Sequence, residues 1–120
     1  MMDAYELRGT QPETVHHFVR FVGGTTAVTK THGPGMSVTY IGTGIVDLTW
    51  TENPGTFLGM TWGMQATTVA ALKGYTIVCG DYNATTRTLR LNINNSSFAL
   101  ADLAALQWAM LSVFFKQTSV

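Results

Sequence analysis

The chain is built largely from short segments in which apolar and polar side chains alternate. Val46, Leu48 and Trp50 interleave with Asp47 and Thr49, and other segments repeat the pattern. A period of two residues is typical of a strand with one solvated face and one buried face. Several such segments, separated by Gly- and Asn-containing turns, predict a compact antiparallel β domain.

Eight segments are predicted as strands: residues 15–22, 27–31, 36–41, 45–50, 57–68, 75–81, 87–93 and 108–116. The loop Gly42-Thr43-Gly44 is expected to join the third and fourth into a hairpin. Gly59 and Gly63 predict a bulge or a close backbone approach. Residues 99–106 are rich in Ala and Leu, which favour helices, so one short helix or helical turn is expected there.

Length and patterning predict one domain. Residues 1–12 show no alternation and are interpreted as an N-terminal arm that orders only against a neighbour, while residues 13–120 form a single β-sandwich or jelly-roll-like domain. The segment 108–116 is apolar on both faces. It is therefore expected either at the centre of the paired sheets or packed against another subunit.

The composition predicts association with other chains. Hydrophobic residues make up 46% of the chain and charged residues only 12%, against about 25% in typical domains. So few charges defend a free monomer poorly against association, which favours a homo-oligomer or a permanently docked subunit. The alternative is a Thr-rich monomeric sandwich.

Charge and hydropathy argue against several partners. Seven basic residues balance seven acidic ones without a Lys/Arg cluster, so no nucleic-acid partner is expected. No apolar run approaches the ~18 residues of a membrane span, so no membrane is expected. The start of the chain lacks a signal-peptide pattern, which predicts synthesis in the cytoplasm. The single cysteine, Cys79, is predicted to be a buried, inert thiol.

The histidines do not predict a metal site. His16 and His17 are adjacent and therefore point to opposite faces of a strand. His32 lies in a Gly/Pro loop without a Cys or carboxylate at ligand spacing. We therefore expect no metal and no cofactor.

The carboxylates do not predict catalysis. Asp47 falls on the exposed side of its strand, Glu52 and Asp81 adjoin turns, and Asp102 is placed at the start of the expected helix. Nothing brings two of them together as acid/base chemistry requires. No nucleophile elbow or phosphate-binding loop is present either. The expectation is that the protein is not an enzyme and has no catalytic residues.

The large aromatic and sulfur-containing side chains are interpreted mainly as core. Trp50 and Trp62 fall on the inward side of their strands, which favours packing over a sugar-stacking platform. Met60, Met64 and Met110 are likewise predicted to fill the core.

Two segments resemble hairpins of a known group of proteins. Residues 37–50 (SVTYIGTGIVDLTW) and residues 81–91 (DYNATTRTLRL) look like hairpins of small structural proteins in tailed bacteriophage virions. The end of the chain, from Asp102 through Phe115 to residues 118–120, resembles the usual close of those proteins. The similarity spans residues 15–120 in order, and the Met/Trp strand around residues 60–64 departs from it.

The resemblance implies a β-sandwich or jelly-roll-like virion protein, often a homotrimer, that decorates or cements a capsid. It would be made in the host cytoplasm and located in the virion, with the major capsid protein or other virion subunits as partners. The alternative is a receptor- or carbohydrate-binding head domain of a phage fibre. A cupin-type enzyme would need a His-rich metal motif, which is missing. The expected contact residues are Ala4, Tyr5 and Leu7 of the arm, and Val113 and Phe115 of the last strand.

Overall fold

The computed structural model describes residues 14–24 and 27–117, which form two antiparallel four-stranded sheets packed as a β-sandwich. The all-β prediction is confirmed. All eight predicted strands are present, with bounds that differ by a few residues at most. They are β1 (Thr14–Gly24), β2 (Ala27–His32), β3 (Met36–Gly42), β4 (Ile45–Trp50), β5 (Thr56–Ala66), β6 (Thr76–Cys79), β7 (Thr88–Asn94) and β8 (Gln107–Lys116). The predicted arm, residues 1–12, lies outside the described residues.

The strand order explains why the last strand is apolar on both faces. The first sheet has the order β2-β1-β8-β5 and the second has the order β3-β4-β7-β6. β8 is hydrogen-bonded to β1 on one side and to β5 on the other. It is therefore a central strand, which confirms the first of the two expectations for residues 108–116.

The core lies between the two sheets and is made by alternate residues of each strand. Along β8, Ala109, Leu111, Val113 and Phe115 are all at most 1% exposed. Burial of a Leu, Val or Phe side chain contributes about 1.5–3 kcal/mol, so three of these four residues each stabilise the fold by that order. The other buried side chains come mostly from the facing strands: Val19, Phe21, Met36, Val46, Leu48, Trp50, Ile77, Leu89, Leu91, Ile93 and Leu103.

The short helix predicted for residues 99–106 is wrong. Leu100 forms an isolated bridge with Asn94, the Ala101 N–H donates to the Ile93 carbonyl, and residues 101–104 belong to no helix or strand. Leu103 is only 2% exposed, so this segment contributes a core side chain. Tertiary hydrogen bonds and burial therefore outweigh the helix propensity of its Ala and Leu residues. The described residues include one four-residue 3₁₀ helix, Val69–Leu72.

Two predicted backbone features are confirmed. The β5–β8 register shifts between Phe57 and Gly59, which is the predicted bulge. The loop between β3 and β4 closes a hairpin with Gly44 at a φ of 69°. A Cβ on Gly44 would lie 2.7 Å from both the Ala101 nitrogen and the Ile93 oxygen, so glycine is required there.

Candidate interaction surface

The outward face of the first sheet is covered by large apolar side chains. On β1 it presents His16, Phe18, Arg20 and Val22, and on β8 it presents Trp108, Met110, Ser112 and Phe114. We call these eight residues the apolar face. Phe18 is 41% exposed and the other large apolar side chains are partly exposed. Outward rows of an antiparallel sandwich are usually polar, so an apolar outer layer indicates a contact surface.

Gly63 on β5 leaves room for a bulky side chain of β8, whereas a Cβ on Gly59 would meet nothing within 4 Å. Gly59 lies opposite Phe114 and Gly63 lies opposite Met110. The Met110 Cε lies 3.7 Å from where a Gly63 Cβ would be. On the other side of β8, His16 stacks on Phe114 with ring centroids 4.9 Å apart. Met110 therefore lies towards β5 and Phe114 lies towards β1, and both contribute to the outer surface of the first sheet.

Arg20 is the one Lys, Arg, Asp or Glu on the apolar face as defined, and its charge is engaged within the face. Its guanidinium carbon lies 5.1 Å from the centroid of the Trp108 ring. Its Nη2 donates to the Gln65 Oε1 at 3.0 Å. A guanidinium over an aromatic ring is stabilised by the ring quadrupole while it remains near water. Arg20 thus holds Trp108 in place and leaves the surface weakly charged.

The outward face of the second sheet has the opposite character. Asp47 and Arg90 form a bidentate ion pair with distances of 2.8 and 3.0 Å. The hydroxyls of Thr49 and Thr88 are hydrogen-bonded at 3.2 Å. The ion pair raises the pKa of Arg90. This face is an ordinary solvated surface, so the protein has one polar outer face and one apolar outer face.

The contact residues predicted from the sequence are not the ones that the structure exposes. Val113 and Phe115 are 0% exposed and belong to the core, so their prediction as contact residues is wrong. Their neighbours Ser112 and Phe114 point outward instead. The sequence signal was an apolar pattern on both faces of β8, which did not tell the inner face from the outer face. Ala4, Tyr5 and Leu7 lie outside the described residues.

The three histidines are separated, and each has an aromatic neighbour. His16 lies on the apolar face, and His17 points inward against Trp50 and Phe115. The two side chains therefore point to opposite faces of β1, as predicted. The His32 ring lies 5.7 Å from the Phe18 ring. No group of three His, Cys, Asp or Glu side chains in the described part of the chain is placed to hold a metal ion.

His17 lies beside a cavity at one end of the sandwich. The cavity has a volume of about 570 Å³, and its lining includes Trp50, Glu52 and Asn53. The Trp50 Nε1–H donates to the His17 Nδ1 at 3.3 Å, which requires that nitrogen to be unprotonated. Burial, and to a lesser extent the charge of His16, lowers the pKa of His17. His17 is therefore a neutral acceptor that fixes the orientation of the Trp50 ring.

In the described part of the chain, Asp102, like Asp47, makes structural hydrogen bonds. Asp102 accepts hydrogen bonds from the Tyr40 hydroxyl at 3.0 Å and from the Gly44 N–H at 2.8 Å. Asp102 therefore anchors residues 101–104 to the β3–β4 hairpin, and its predicted role at a helix start is wrong. Desolvation, followed by the contact with Asp102, raises the pKa of Tyr40.

The sulfur-containing residues and tryptophans divide between core and surface. Trp50 is buried, and Met60 and Met64 pack against the core, as predicted. Met110 lies on the apolar face, so its assignment to the core is wrong. Cys79 packs against the core but is only partly buried, and burial raises the pKa of its thiol, which lowers its reactivity.

Trp62 lies at the margin of the sandwich. It is opposite the inward-facing Leu111, yet 41% of it is exposed because β5 is an edge strand. The predicted burial of Trp62 is therefore wrong, although its predicted direction is right. It borders a groove of about 730 Å³ between β5 and residues 69–75, with Met64, Leu72 and Tyr75 among its lining.

None of the helical segments in the described ranges is long and apolar enough to cross a membrane. Compared with known proteins, the chain matches no protein family, no curated protein and no solved structure.

Proposed function

We propose that this protein is a structural subunit that acts by adhesion, as a capsid decoration or cement protein of a phage virion. The observation that carries the adhesive role is the apolar face, which contrasts with the polar outer face of the second sheet. The virion setting is taken from the resemblance of residues 15–120 to small structural proteins of tailed phages. No enzymatic activity is proposed.

The partner proposed for the apolar face is another virion subunit, either the major capsid protein or a second copy of this chain. The face has aromatic rings, one guanidinium that is already engaged, and no carboxylate among its eight residues. A surface of this kind is complementary to another weakly charged surface. Aromatic side chains and Arg are also enriched at the centres of protein interfaces. A homotrimer is the assembly that the resemblance implies.

The test is stoichiometric binding to capsids. Virus particles are purified from the source of the gene and stripped of this protein, and purified protein is then added back before sedimentation and electron microscopy. We expect saturable binding at a fixed number of copies per shell. Phe18→Glu should abolish it, because the substitution places a carboxylate in the middle of the apolar face. Ser37→Glu, at an exposed position opposite Thr49 on the outer face of the second sheet, is the matched control and should bind normally. Absence of the protein from the particles would refute the virion role.

A receptor- or carbohydrate-binding head domain is the second candidate, favoured by the cavity beside His17. The cavity combines an aromatic wall, Trp50, with polar side chains that include Glu52 and Asn53. Small-molecule sites commonly combine these features. Binding of free sugars, measured by calorimetry and lost in Asn53→Ala, would support this function over the structural one.

A further inference from the structure

The four edge strands of the sandwich differ in how well they are protected from pairing with another chain. β2 carries Lys30, whose Nζ donates to the carbonyls of Gly33 and Met36 and closes that side of the sandwich. β3 has a register shift near its end, and β6 has only four residues. Charges, irregular register and shortness are the usual ways in which natural proteins protect edges.

β5 has little of this protection. It is eleven residues long, contains no charged residue and no proline, and has a single bulge near its start. Its only ladder is with β8, and no other backbone hydrogen bond of residues 56–66 to the described part of the chain is present. In an antiparallel ladder, an edge strand directs alternate N–H and C=O groups outward, where they are available to a further strand.

The sequence of β5 is complementary to itself in the antiparallel direction. Around Thr61 the residues read Gly-Met-Thr-Trp-Gly. In two copies related by a two-fold axis at Thr61, Gly59 lies opposite Gly63 of the other copy, and Met60 lies opposite Trp62. Each cross-strand pair then joins residues on the same face, and Met beside an aromatic ring is a favourable contact.

We propose that two copies of this chain associate through their β5 strands, which pair antiparallel about Thr61 and join their two first sheets into one. Self-pairing brings no like charges together, because β5 contains no charged residue. The pairing also covers the exposed edge of Trp62, which is 41% exposed in the single chain. This association does not depend on the virion role.

The test places a positive or a negative side chain at Thr61, on the two-fold axis of the proposed pair. The mass of the particle in solution is measured by sedimentation at micromolar concentration. The wild-type particle should contain an even number of copies: two, or six if the homotrimer that the resemblance implies also forms. Thr61→Lys and Thr61→Glu should each halve that mass, because like charges then lie opposite each other. An equimolar mixture of the two variants should restore it, which a folding defect would not allow. Thr39→Lys, an exposed strand position beside Asp47, is the control and should leave the mass unchanged.

A second measurement tests the register. Side chains directly opposite each other in a ladder have Cβ atoms about 4.5–5.5 Å apart, close to the reach of a disulfide. Mild oxidation of Thr61→Cys should therefore give a covalent dimer, and oxidation of Thr39→Cys should not. An odd copy number, or an unchanged mass for both Thr61 charge variants, would overturn the pairing. If Phe18→Glu loses capsid binding but keeps the particle mass of the wild type, the β5 pairing stands independently of the virion role.

Discussion

At the residue scale, Asp102 shows how one side chain can fix a long irregular segment. Its two oxygens accept from the Tyr40 hydroxyl and from the buried Gly44 N–H, so they join residues that are far apart in sequence. A strand ladder could not supply these bonds, because the segment lies outside both sheets. The carboxylate therefore replaces regular secondary structure as the anchor of residues 101–104.

We expect Asp102→Ala to destabilise the protein. The substitution leaves the buried Gly44 N–H without its acceptor, which costs about 1–3 kcal/mol. Urea unfolding followed by tryptophan fluorescence measures the change. Asp102→Asn retains one acceptor oxygen and should lose less. Equal stability of the wild type and Asp102→Ala would show that the bond to Gly44 is not structural.

His17 predicts a dependence of stability on pH. Burial lowers its pKa in the folded state from the ordinary value of 6.5. Stability is therefore fully present above about pH 6.5 and decreases as the pH falls through the folded pKa, where protonation also breaks the bond from Trp50. The melting temperature should fall more steeply below pH 6.5 in the wild type than in His17→Gln. His32→Gln, in which an exposed histidine at the end of β2 is changed, should follow the wild type.

At the scale of elements, β8 separates what sequence reasoning found from what it missed. Alternation in β4 located a strand and its buried side, because only one of its faces is apolar. In β8 both faces are apolar, and the inner and outer rows became distinguishable only from the pairing with β1 and β5. The apolar pattern therefore predicts Val113 as a contact residue and does not single out Phe114. The helix prediction for residues 99–106 is wrong for another reason. The conformation of these residues is set by partners distant in sequence, such as Gly44.

Neighbouring phenylalanines on β8 provide a direct test of these two rows. Phe115 is fully buried against Trp50 and Tyr82, whereas Phe114 lies on the apolar face. Phe115→Ala should cost about 3–5 kcal/mol of unfolding free energy, as expected for a large core truncation. Phe114→Ala should cost far less in unfolding free energy but reduce binding to the partner. Similar stability losses for both variants, measured by urea unfolding, would contradict the assignment of rows.

At the scale of the whole molecule, the protein has an ordinary core with unequal outer surfaces. The core was largely predictable, since most of its side chains lie on the inward side of alternating strands. The contact surfaces were not, because they depend on which strands are neighbours and which strand ends the sheet. The low content of charged residues predicts association but does not locate the surface that would make the contact. The apolar face and the edge of β5 are the two surfaces at which we propose that association takes place.

Association should make thermal stability depend on protein concentration. A contact made only by the folded chain stabilises it by mass action, so the melting temperature should rise as the protein is concentrated. Calorimetry over a range of concentrations measures the effect. Thr61→Lys, with its weakened pairing, should show a smaller rise, and Thr39→Lys should behave as the wild type does. A constant melting temperature for the wild type would contradict association.

The pairing of β1 with β8 bears on how the protein is made. A ribosome releases β1 long before β8, and β5 has no ladder partner other than β8 among the described residues. The first sheet therefore cannot be completed until residue 116 has left the exit tunnel. Until then, β1 is paired only with β2, and the uncharged strand β5 has no ladder partner in the described part of the chain. Folding through such distant contacts is slow. A nascent chain of this kind is a natural client for chaperones, and its yield should depend on them more than its final stability does.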